Sequence, residues 1–155
     1  MSKRRVVLVL VLLIGAVAAA PVVASAWRGG SEKLLIGFEL HFTGPTTTAG
    51  TFQASGAVDD SGDCNVTNLA LDPFGHRDKA RLTGTQTFVG ARGTIVTEFK
   101  GVASDVSQPH QYGEGRFRIV SGTGDYADLD GHGRFTIVVD LTTGRLIGTE
   151  KARVH

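Results

Sequence analysis

From Leu34 to Phe42 every even position is apolar (Leu34, Ile36, Phe38, Leu40, Phe42), while Gly37, Glu39 and His41 fall among the odd ones. A period of two marks a strand with one buried face. The alternation recurs in short runs: Thr51 to Val58 with Phe52 and Ala54 on one face, a short strand from Asn65 to Leu71, Ala80 to Val89, Thr94 to Ala103, and three last strands starting near Gly115, Arg134 and Arg145. No helical period appears after about position 27.

The punctuation between runs is turn chemistry. Thr43 to Gly50 contains Pro45, which cannot donate a ladder bond, and reads as a loop; Asp59 to Gly62 reads as a turn, and Pro73 to His76 and Ser104 to Gln111 as polar loops. Gly90 to Gly93 is a compact hairpin connection with residues that accept positive φ. Eight strands in sequential contact, with no helix to cover a sheet edge, predict an all-β closed eight-stranded antiparallel up-and-down barrel over residues 34–155. Many of the 21 glycines fall inside runs (Gly37, Gly56, Gly84, Gly101, Gly133, Gly148) and suit sharp coiling. The triplets Gly115-Arg116-Phe117 and Gly133-Arg134-Phe135 read as equivalent strand starts.

The first 26 residues have the three parts of an export signal: Lys3, Arg4 and Arg5, an apolar run from Val6 to Ala20, and Ala24-Ser25-Ala26 before cleavage. The run is shorter than the roughly 20 residues a spanning helix needs, so the expected product is secreted, without a stable membrane anchor. Residues 27–33 read as a flexible leader. Cleavage would leave 13 Lys and Arg against 15 Asp and Glu, a slightly acidic chain. Nucleic acid is therefore not an expected partner, because Arg77, Lys79, Arg81, Arg116 and Arg118 are interrupted along the sequence. The single cysteine, Cys64, has no disulfide partner within the chain and reads as a small buried side chain. Asn65-Val66-Thr67 matches a glycosylation sequon, which matters only in a host that glycosylates exported proteins.

No motif of high chemical specificity appears. Gly122-Thr-Gly-Asp-Tyr-Ala127 fits the dinucleotide pattern, but no helix follows to receive a pyrophosphate, so Tyr126 and Leu129 are read instead as a plug folded over one barrel end. Asp125, Asp128, Asp130 and His132 miss the calcium-loop spacing, which would put Ile137 at its essential carboxylate position; no metal and no cofactor is assigned. The catalytic candidates are Glu150, His41 and Tyr126. His41 sits beside Glu39 on the polar side of the first strand, whereas alternation places Glu150 with Leu146, Gly148 and Ala152, or equally outward if Ile147 faces in. A carboxyl group in an apolar barrel would be costly when charged. Phe38, Phe42, Phe52, Phe88, Phe99, Phe117 and Phe135 each occupy a strand, as a packed core or as the lining of a site for a small apolar ligand.

Gly50-Thr-Phe-Gln-Ala-Ser-Gly56, Phe88-Val-Gly-Ala-Arg-Gly-Thr-Ile95, and above all Gly115 to Ala127 through Gly131-His-Gly133 resemble secreted bacterial members of the allene oxide cyclase and dirigent barrel-like superfamily. The resemblance spans roughly Leu34 to Arg153 and lies in turns and glycines. It implies an eight-stranded barrel, often a homo-oligomer, with an apolar cavity that moulds a flexible apolar molecule; no catalytic residue carries over. Three functions follow as expectations: a binder of a small hydrophobic molecule, a cyclase or isomerase acting by confinement, and a structural envelope protein with a filled core.

Overall fold

The computed structural model describes residues 31–75 and 78–155. The expected export signal and the expected leader up to residue 30 lie outside the described residues. Eight antiparallel strands run in chain order: β1 (Glu32–Gly44), β2 (Thr47–Gly56), β3 (Asp60–Pro73), β4 (Lys79–Gly90), β5 (Gly93–Ser104), β6 (His110–Gly122), β7 (Gly131–Asp140) and β8 (Arg145–Val154). Each pairs with the next, and β1 closes on β8 from Glu32 opposite Val154 to His41 opposite Arg145. Closure removes both edges that an open sheet would expose. The barrel is the all-β up-and-down form that the alternation predicts.

Alternation decides what faces in. In β1 Leu34, Ile36, Phe38 and Leu40 are buried, and in β8 every second residue from Leu146 to Val154 is buried. That register turns Glu150 inward and leaves Ile147 45 % exposed, resolving the choice that the sequence left open. Large and small residues then interlock across the interior: a Cβ at Gly148 would meet the Phe38 ring, and one at Gly84 the Phe99 ring. An eight-stranded barrel is narrow enough to be filled by such pairs.

Several strands are longer than their apolar runs. β2 begins at Thr47, not Thr51, because Thr48 points inward at 2 % exposure and pairs with Val66, confining the first turn to Pro45 and Thr46. β3 begins at Asp60 and absorbs most of the expected turn; the Asp60 carboxylate accepts from the Ala91 amide and the Tyr126 hydroxyl of neighbouring turns. β1 starts at Glu32 within the expected leader, and β6 starts at His110, within the expected loop. The two Gly-Arg-Phe triplets are therefore not equivalent starts. They face each other across β6 and β7, Gly115 opposite Phe135 and Phe117 opposite Gly133, and the Phe135 ring covers Gly115.

One irregularity shapes the site. Between Thr67 and Ala70 the β3–β4 register shifts, with Asn68 at φ 55 in the left-handed region that asparagine tolerates. The extra residue swaps the parity of β3. Cys64 and Val66 face inward before it, and Leu69 and Leu71 line the interior after it.

Candidate functional site

The two ends of the barrel differ. At one end a single 3-10 turn, Gly124–Tyr126, buries Tyr126 and Leu129 over the mouth. The Tyr126 hydroxyl donates to Asp60 Oδ2 at 2.5 Å, and Asp60 also accepts from the backbone amides of Ser61 (2.8 Å), Ala91 (3.1 Å) and Arg92 (3.3 Å). Burial works to raise the Asp60 pKa, but these donors outweigh it and hold the carboxyl below its ordinary value. Burial and the Asp60 bond both push the Tyr126 phenol up. Arg92 in turn pairs with Asp125 at 2.9 Å, and Asp130 accepts from the Gly131 amide at 2.7 Å, so these acids serve the closure. Tyr126→Phe removes a hydrogen bond to a charged group and is expected to lower unfolding stability by about 1 to 2 kcal/mol, read from urea denaturation.

At the opposite end, where the β1–β2, β3–β4, β5–β6 and β7–β8 turns gather, the barrel holds a half-open cavity of about 60 Å³. Phe38, Phe42, Phe99 and Phe135 line it, with Leu69 and Leu71 brought in by the Asn68 bulge. Ile137, Val139 and Leu146 complete the apolar wall. Phe99 and Phe135 meet edge to face with centroids 5.5 Å apart. Phe42 stands at the rim, 37 % exposed. The other three phenylalanines named by the sequence, Phe52, Phe88 and Phe117, are buried away from this cavity toward the plug; Phe52 and Phe88 pack at 5.2 Å.

Polar groups are few inside. Gln86 lines the cavity and donates through Nε2 to Cys64 Sγ at 3.1 Å. Burial pushes the Cys64 thiol up to about 12, so the thiol stays protonated and unreactive at neutral pH. Thr48 Oγ1, Thr97 Oγ1 and Glu150 Oε2 are buried without a hydrogen-bond partner. Of the three catalytic candidates only Glu150 points inward from a strand, at 1 % exposure; desolvation pushes its carboxyl up to about 8, which favours the neutral acid at pH 7. It sits one step below the cavity, opposite Phe135 on β7 and Ile36 on β1. His41 stays on the outer face, its side chain 58 % exposed and 3.8 Å from Glu39, whose carboxylate is gripped in two bonds by Arg145 (2.6 and 2.8 Å). Tyr126 is committed to the plug. The structure thus brings together four of the seven phenylalanines and separates all three catalytic candidates. Gln86, Thr48 and Thr97 were not singled out from sequence, because a threonine or glutamine in an alternating strand is as ordinary outside as in.

Fold and cavity together define a closed antiparallel barrel, plugged at one end and half-open at the other. No family model, curated protein or solved structure matches the chain.

Proposed function

We propose that this protein is an exported barrel that binds a small hydrophobic molecule in its half-open end. The observation that carries the reading is the apolar cavity between the Phe99–Phe135 pair and the rim residue Phe42. Its size narrows the ligand. About 60 Å³ exceeds the ~10–15 Å³ that one water needs and is less than the ~150 Å³ of an apolar cavity that takes up benzene. A straight hydrocarbon tail fits such a space by its end, leaving the rest of the molecule at the rim, whereas a fused-ring ligand would require Phe42 and its neighbours to move. The export signal and the likeness to allene oxide cyclase and dirigent barrels support the same reading.

The test is calorimetric titration of the barrel with hexanoic and decanoic acids, beside Ala103→Phe, which places a ring in the cavity from a buried lining position. Saturable uptake by the wild-type protein and its loss in Ala103→Phe are expected. No heat with either acid would overturn the reading and leave the filled-core structural role.

A second reading, ring closure or isomerisation by confinement, is favoured by one observation: Glu150 is buried in an apolar interior with Oε2 unpartnered, and that desolvation raises its pKa toward the protonated state a proton donor needs. It requires the cavity floor to open, since Glu150 does not line the cavity. Under this reading Glu150→Gln keeps ligand uptake and loses product formation.

A further inference from the structure

Basic residues scattered along the sequence are gathered by the strand register. On the outer face, Lys100 of β5 lies opposite Arg116 of β6, Arg116 opposite Arg134 of β7, and Arg134 opposite Lys151 of β8. The next row toward the plug is Glu98, Arg118, His132, Arg153 and Lys33, again cross-strand neighbours. Seven of the eleven lysines and arginines among the described residues stand in these two rows, with Glu98 the only acid. All seven are exposed, and among the described residues only Arg118 has an ion-pair partner, Glu98 at 2.8 Å. The row on the other side, Val102, Glu114, Thr136, Thr149 and Gly37, marks a sharp edge.

Three directly opposed like-charge pairs in a single row work against the sheet. Glu98 and Glu114 flank the row, but among the described residues none of its four cations forms an ion pair, so further compensation is expected from outside. The geometry restricts the partner. The rows step from strand to strand at about 4.8 Å and extend over four or five of the eight strands, so the cations at the two ends point in widely different directions. A flat bilayer can touch only the middle of such an arc. A flexible chain can follow all of it. No Phe, Tyr or Trp stands in either row, and His132 is the one ring there, so the run of stacking platforms that single-stranded nucleic acid sites use is missing.

We propose that the outer face of β5–β8 binds a linear acidic polysaccharide, whose evenly spaced anionic groups run along the Lys100–Arg116–Arg134–Lys151 row. This surface is separate from the cavity and its binding does not depend on it.

The test is heparin binding by the full chain at moderate salt. Arg116→Gln/Arg134→Gln is compared with Lys79→Gln/Arg81→Gln, which removes the same charge elsewhere. The first pair is expected to weaken binding roughly tenfold or more while melting no lower than wild type, since it relieves an opposed like-charge pair. The control pair leaves affinity unchanged. Equal weakening by both pairs would reduce the effect to net charge and sink the proposal. It also fails if poly(dT) of matched charge, or phosphatidylglycerol vesicles, bind the wild-type protein as tightly as heparin.

Discussion

Glu150→Gln gains stability over the wild-type protein as pH rises, by about 3 kcal/mol between pH 4.5 and pH 7. The sign follows from which state holds the proton. In the unfolded chain the carboxyl titrates at its ordinary value near 4.5; inside the barrel desolvation moves it to about 8. Between those values the folded protein retains a proton that the unfolded chain has released. The proton-linked stabilisation is fully present below pH 4.5 and is lost progressively until about pH 8. Glutamine does not titrate, so the variant lacks this decline. Its own burial changes the offset between the two curves and not their divergence. Urea denaturation at a series of pH values reads the difference directly. Parallel curves from pH 4.5 to 8 would mean that Glu150 meets water or a cation in the folded state. With that, the acid required for ring closure would be gone.

The barrel was legible because its signal is redundant. Strands such as Leu34 to Phe42 and Ala80 to Val89 show their period without help, and eight such runs with no covering helix leave few architectures. The plug was legible too, because Tyr126 and Leu129 follow a glycine turn where the chain must cross the barrel mouth. Strand ends were harder. Thr47 to Gly50 and Asp60 to Gly62 carry turn residues, and only their partners, Val66 opposite Thr48 and the turn amides around Asp60, hold them in the sheet. The part of the cavity wall formed by Leu69 and Leu71 depends on a one-residue slip at Asn68, and such a slip reverses every side chain beyond it. The basic rows were invisible for the opposite reason. Lys100, Arg116, Arg134 and Lys151 are at least 16 positions apart in sequence, and their meeting is a property of register alone.

Register also makes the barrel depend on a few positions without side chains, and here a pair of matched substitutions is expected to separate widely. A Cβ at Gly133 would fall on the Lys151 carbonyl oxygen and lie 2.8 Å from the Ala152 Cα, so β7 and β8 would have to part to admit it. Backbone cannot yield as a flexible side chain can, and the displaced strands carry Phe135 and Glu150. Gly133→Ala is therefore expected to cost about 3 kcal/mol or more, at or beyond the upper end of ordinary overpacking, or to prevent folding. Gly37 lies in the same kind of ladder on the outer surface, with nothing within 4 Å of its added Cβ. Gly37→Ala should be neutral or gain up to about 1 kcal/mol, because alanine loses less backbone freedom on folding. Thermal unfolding followed by circular dichroism distinguishes them in one experiment. If both variants melt with the wild-type protein, β7 and β8 do not approach so closely at Gly133, and the tight coiling that closes the barrel around its cavity is not there.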